Sequence, residues 1–267
     1  MTYSLCVNYE SDQVNLSDRF WHFGRQRMNL RPVEDEQHIA GSLVGTAIGA
    51  ITQHIRTNEL APGDRLPSEA TLSKELSVSR SVVREAFRSL ATMRLIDLSA
   101  GKRATVAQLD HGAMSLMIEH GVHTAQININ QVYDVRRTIE TRTATLAALR
   151  RTDAEARTIL GLAKAMEDNF VDAEKVMESD LAFHLEIARA SKNPIFSMIV
   201  GAFQGVSRQT WPIGWRSRAS DAERHAMNAI HIELAQAIAA GDPQAASQLM
   251  ARHFDESVKA LLAAGIA

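Results

Sequence analysis

The sequence predicts a mostly α-helical protein, with a winged helix-turn-helix near the N-terminus and an all-α antiparallel helical bundle behind it. Composition is the first observation: 45% of the residues are hydrophobic but only 5% aromatic, a balance that suits packed helices better than sheets. The second is the stretch LPSEATLSKELSVSRSVVREAFR over residues 66–88, which reads as a short helix, a tight turn and a second helix. The third is the C-terminal half, where helical spacing is broken at Thr152-Asp153, Asn193-Pro194, Pro212 to Gly214 and Gly241-Asp242-Pro243. A chain of 267 residues is long enough for two cores.

Residues 1–40 show no periodicity and read as an extension, or as an arm carrying Trp21, Arg25 and Arg27 toward a partner subunit or DNA. Residues 41–108 form the first domain. Leu43, Val44, Ala47, Ile48, Ile51 and Ile55 follow helical spacing over 43–57. Pro67-Ser68 then signals a helix start, the Ser68 hydroxyl capping a helix over 69–76. Ser77-Val78-Ser79 supplies the turn, and Ser79 caps a second helix over 80–93. On that helix Val83, Ala86, Phe87 and Leu90 share one arc, while Arg80, Ser81, Arg84 and Arg88 share its neighbour. One arc packs, and the other presents donors suited to guanine edges and phosphates. Apolar residues 95–98, the turn Ser99-Ala100-Gly101-Lys102-Arg103, and residues 104–106 make a hairpin with a basic tip, which beside a helix-turn-helix is a wing.

These residues also carry a resemblance. GDRLPSE at 63–69, VSRSVVREA at 78–86 and GK at 101–102 resemble the winged helix-turn-helix of GntR-type bacterial transcription regulators over Leu43 to Ala107. The resemblance implies that Arg80 and Arg84 contact bases and phosphates, that Ser81 adds a polar contact, and that Gly101 is the wing-tip glycine. Ser68, Arg88, Lys102 and Arg103 complete the DNA-facing set. Two positions depart from the family pattern: Ala70 stands where an arginine is usual, and Arg94 where a glycine usually ends the recognition helix.

The net charge of −2 hides an uneven distribution: residues 42–108 hold nine Lys/Arg against six Asp/Glu, and residues 131–267 hold 16 against 17. So modest a basic excess implies a dimer presenting two copies to a short inverted repeat of double-stranded DNA, with affinity falling as salt rises. The single cysteine, Cys6, allows no internal disulfide. With no secretory pattern and no stretch of ~20 apolar residues, that predicts a cytoplasmic protein without a membrane span.

Residues 109–130 read as a connector with a short helix around Met114 to Ile118. Residues 131–267 read as six or seven helices, over 131–151, 153–167, 171–191, 194–212, 218–241 and 243–264, and bundles of this kind place ligand sites in their cores. Asp180 and His184 are one helical turn apart; His231 and His253, each flanked by apolar residues, lie on two later helices. One carboxylate and three imidazoles suit a borderline divalent cation, zinc first, then nickel or manganese, although each histidine alone reads more readily as a core or surface residue than as a ligand. His54, His111, His120, His123 and His225 are assigned no role. Glu140 and Glu186 read as helix-surface or structural ion-pair residues. Trp211, Trp215, Arg208 and Gln204 lie near the end of a predicted helix, where they could shape a cavity.

A second resemblance covers residues 131–262. VYDVRRTIE at 132–140, DLAFHLEIARASKNPIF at 180–196, HIELAQAIAAGDPQAA at 231–246 and MARHF at 250–254 resemble the FCD effector domain of FadR-type GntR regulators. The metal-binding branch uses one Asp and three His, which fall on Asp180, His184, His231 and His253. Arg136 falls on the arginine that points into the cavity, where it would meet an effector carboxylate.

The resemblances together imply a homodimeric, ligand-responsive repressor of a sugar-acid or organic-acid operon. A small carboxylate effector at a metal in the bundle would release the operator. No nucleophile–base pair accompanies these motifs, so binding rather than turnover is expected. The alternatives are an acyl-CoA-responsive or metal-responsive regulator, and a metalloenzyme targeted to DNA.

Overall fold

The computed structural model describes residues 42–266. The extension expected over residues 1–40, with Trp21, Arg25 and Arg27, lies outside them. The N-terminal unit is built from α1 (Leu43–Thr57), α2 (Glu69–Glu75) and α3 (Arg80–Thr92), with a hairpin of β1 (Ile96–Asp97) and β2 (Thr105–Val106). Each helix starts where a serine offers a cap: Ser42, Ser68 and Ser79 accept from the backbone N–H of Gly45, Thr71 and Val82. Ile51, Leu66, Leu72, Val83, Phe87 and Leu90 close the core beneath α3. The α2–α3 turn passes through Ser77 at φ 54°, and Ser73 Oγ donates to Val78 O at 2.6 Å across it.

The wing holds more than the sequence pattern suggested. Its strands pair antiparallel, Ile96 with Val106 and Asp97 with Thr105. A third segment, Gly63 to Leu66, joins them through Leu66 N–Ala104 O, Val106 N–Asp64 O and Gly63 N–Val106 O bonds of 2.8–2.9 Å. Gly101 turns the tip at φ 72°, a conformation that favours glycine.

Arg94 explains the glycine usual at its position: it follows α3 with φ 60°, in the left-handed region. Its only ion pair among the described residues is an exposed 3.6 Å contact with Asp110, which stabilises little. Arg94→Gly is therefore expected to raise stability by about 1 kcal/mol in denaturant unfolding, relief of backbone strain exceeding glycine's entropy cost. Equal or lower stability would mean that the Asp110 contact matters more than its exposure suggests.

The connector forms α4 (Gly112–His123), longer than expected, which packs on the bundle. The bundle comprises α5 (Ile129–Arg150), α6 (Asp153–Asp168), α7 (Ala173–Ala190), α8 (Pro194–Ala202), α9 (Gln204–Ser217), α10 (Asp221–Ala240) and α11 (Pro243–Ala263). Capping boxes start α5 at Asn128–Gln131 and α6 at Thr152–Glu155. The α10–α11 corner follows from Gly241 at φ 73° and Pro243 in the first turn of α11. Two expectations fail here. The helix over 194–212 is two helices meeting at Phe203, and no break occurs at Pro212 to Gly214, because Pro212 lies inside α9. An interior proline costs about 3 kcal/mol, and α9 offsets it by burying Val206, Thr210 and Gly214 against its neighbours. Among the described residues no helix is long and apolar enough to cross a membrane.

α11 runs along α5, α6 packs on α7 and α10, and α10 packs on α11. Phe183, Ile187, Leu234, Ile238, Met250 and Phe254 fill the centre. The inward faces of α5, α7, α10 and α11 also carry polar residues, buried side by side.

Candidate functional site

Asp180 and His184 on α7, His231 on α10 and His253 on α11 are all buried, at 3–7% exposure. One ligand atom from each lies within 4.8 Å of all the others. His231 Nε2 stands 2.8 Å and His184 Nε2 3.8 Å from Asp180 Oδ1. Yet, among the described residues, His184 Nε2, His231 Nδ1 and His253 Nδ1 have no hydrogen-bond partner, and His231 Nε2 approaches only the Asp180 carboxylate. Buried polar atoms are rarely left unpaired. One nitrogen from each of the three imidazoles, gathered beside a carboxylate, makes the donor set that a divalent cation satisfies. Burial, then the neighbouring His231 and His184, holds His253 well below the ordinary imidazole range. It is therefore neutral, the state a metal ligand requires. Burial alone would raise the Asp180 carboxyl, but His231, His184 and Arg136 outweigh it and keep the group ionised.

Glu140 is neither a surface residue nor only a structural ion-pair residue. It is fully buried on α5, with Oε2 2.5 Å from His184 Nδ1 and Oε1 accepting from Arg136 Nε at 2.8 Å. A carboxylate on the far nitrogen fixes the ring and directs Nε2 toward the cluster. Burial would raise the Glu140 carboxyl, but Arg136 and His184 hold it below its ordinary value. The signal for it was the i, i+4 spacing of Arg136 and Glu140 on the face of α5 that also buries Val132 and Thr143.

Arg136 does face the cavity, with its guanidinium 5.0 Å from the Phe254 ring centre and 5.4 Å from that of Tyr133. The hollow beside the cluster has a volume of about 50 Å³, room for a few water-sized groups. Its walls include Arg136, Asp180, His231, His253, Trp211 and Trp215. Arg208 and Gln204 do not line it: Arg208 pairs with Glu178, and Gln204 donates to Leu181 O.

In the N-terminal unit Arg80, Ser81, Arg84 and Arg88 are exposed on α3. Ser68 shares a groove with Gly101, Lys102 and Arg103 of the wing. Ser68 is also the α2 cap, accepting from Thr71 N at 3.1 Å, and Ser81 Oγ lies 2.7 Å from Ser79 Oγ. Arg84 is held by Glu69, with Nη2–Oε2 at 2.9 Å and Nε–Oε1 at 3.2 Å. The contact lowers the Glu69 carboxyl and fixes the guanidinium plane.

Residues 43–106 match the family of bacterial regulatory proteins named gntR, and residues 131–256 match the FCD domain. The chain is 30% identical to the HTH-type transcriptional regulator LutR of Bacillus subtilis over 203 residues, 74% of this chain and 92% of that one. It is 29% identical to the galactonate operon transcriptional repressor of Escherichia coli over 160 residues, 58% of this chain and 69% of that one. Among solved structures, Streptococcus agalactiae GntR superposes with a TM-score of 0.58 at 25% identity, covering 80% of this chain and 97% of that one. The chain therefore belongs to the gntR family of bacterial regulatory proteins, as a DNA-binding transcription regulator with a helical FCD domain behind its winged helix-turn-helix.

Proposed function

We propose that this regulator is a cytoplasmic homodimeric repressor of an operon for using a sugar acid or other small organic acid, and that the acid releases it from a short inverted-repeat operator. Residues 41–108 read the DNA, residues 109–130 connect, and residues 131–267 bind the effector and dimerise. Arg80, Ser81, Arg84, Arg88 and the wing residues Gly101, Lys102 and Arg103 meet the operator, with Ser68 beside them. Asp180, His184, His231 and His253 hold a divalent cation, zinc for preference, and Arg136 presents its remaining donors to the ligand. When bound, such a cation offers Lewis-acidic positions to carboxylate and hydroxyl oxygens.

The observation that carries this reading is the convergence of Asp180 with one nitrogen each from His184, His231 and His253, beside a hollow whose walls include Arg136. The E. coli relative, named as a repressor of a galactonate operon, supports the sugar-acid class. A hollow of about 50 Å³ with histidine, aspartate and arginine walls disfavours a long acyl chain. Release requires the acid to bind the operator-free state more tightly than the operator-bound one.

Thermal-shift screening of the zinc-loaded protein against hydroxy acids and sugar acids tests the effector. A binder raises the melting temperature by mass action and, in a mobility-shift assay, frees the operator. Failure of every acid to do either overturns the reading. Arg84→Ala tests the DNA face: about a 10- to 100-fold weaker operator complex is expected with the helical circular-dichroism signal intact. Undiminished binding would remove Arg84 from the interface.

A further inference from the structure

Arg218, which the motifs did not single out, ends α9 on the wall of the same hollow. It also lines a larger outer cleft; among the described residues, Arg218 and Met227 alone border both spaces. Its backbone is pinned, since Arg224 donates to Arg218 O at 3.0 Å while lying over the Trp215 ring. Among the described residues its guanidinium makes one hydrogen bond, from Nη1 to Gly214 O at 2.8 Å, and no carboxylate comes within ion-pair distance. The nearby acids are engaged elsewhere: Asp180 beside His231, Glu256 with Lys259 at 3.6 Å, and Glu223 accepting from Ala219 N at 2.8 Å.

Arg136 differs, because Glu140 already balances its charge. Asp180 would balance one charge of a divalent cation, leaving one from that cation and one on Arg218. Partly desolvated charges without counter-ions are costly, so a ligand carrying two negative charges fits this hollow better than one carrying a single charge. Burial depresses the Arg218 pKa, as expected for a cation held without a close anion.

We propose that Arg218 receives a second acidic group of the effector, and that the preferred ligand class is a compact hydroxy-diacid. This rests on the hollow being the effector site, as argued above. Arg218 is then a specificity residue at the mouth, its fork matched to a carboxylate.

The test titrates full-length zinc-loaded protein with matched pairs: D-gluconate and D-glucarate, D-galactonate and galactarate, 3-hydroxybutyrate and malate. Binding is read by calorimetry and by fluorescence of Trp211 and Trp215, with zinc content assayed after each titration. In at least one pair the diacid is expected to bind about 10- to 100-fold more tightly than its monoacid. Arg218→Gln is expected to abolish that preference. Equal affinity within every pair, or a preference that survives in Arg218→Gln, overturns the proposal while leaving the effector site standing. Absence of binding by all six acids overturns both. Should the glutamine variant fail to fold, Arg218→Lys is read instead: it keeps the charge without the fork, a reduced preference is expected, and an undiminished one overturns the assignment.

Discussion

Stripping the protein with excess chelator and restoring zinc is expected to raise the melting temperature of the bundle by about 10 °C. Three helices, α7, α10 and α11, each bring at least one ligand to the cluster, so a cation bound there ties together segments far apart in sequence. Without it, several buried nitrogens have no protein hydrogen-bond partner among the described residues, and each such group left unsatisfied costs about 1–3 kcal/mol. A cation that binds only the folded state at a thousandfold excess over its Kd stabilises by about 4 kcal/mol. In a domain of this size each kcal/mol moves the midpoint by roughly 2–4 °C. His231→Ala should remove the zinc increment altogether. The increment should also shrink as pH falls and protons compete for the three imidazoles, since the ligands must be deprotonated to bind. A wild-type melting curve unmoved by zinc at neutral pH would mean that the four side chains meet for some other reason.

Local features of the chain are legible in its sequence wherever the chemistry is local. Ser68 and Ser79 announce their helices because a hydroxyl before a helical run has one dominant use, and the arcs of α3 follow from its period alone. Asp180 and His184 read as a pair because a spacing of four puts them on one helix face, but their meeting with His231 and His253 rested on the family resemblance, since no periodicity relates positions on three helices. Glu140 and Arg218 were misread or missed for the same reason. A glutamate at helical spacing from an arginine looks like a solvated ion pair until the packing of α7 and α11 on α5 buries it. Arg218 falls at the start of the helix expected over 218–241 and draws no notice there, until α9 runs on through Pro212 and carries it to the hollow. Proline's bias against helix interiors predicted a stop there, and tertiary packing overrode it.

Glu140→Ala is expected to be among the most damaging single substitutions in the bundle. It leaves the Arg136 guanidinium, 6% exposed, without its counter-ion, and His184 Nδ1 without its acceptor. Removing one partner of a buried pair typically costs about 3–5 kcal/mol, and the loss should appear as a lowered denaturant midpoint. Zinc affinity, measured by competition with a chromogenic chelator, should fall by about 10- to 100-fold because nothing then orients the His184 ring. A loss under about 1 kcal/mol with unchanged zinc affinity would place Glu140 outside the network. The double substitution Arg136→Met with Glu140→Leu separates stability from function. Replacing a buried ion pair by apolar groups of similar volume is often neutral or better, so much of the stability should return. The response to the acid should not return, because neither the donors of Arg136 nor the His184 orientation is restored. A protein that melts near wild type yet stays on its operator at every acid concentration would show that this buried pair is kept for the ligand site rather than for the fold.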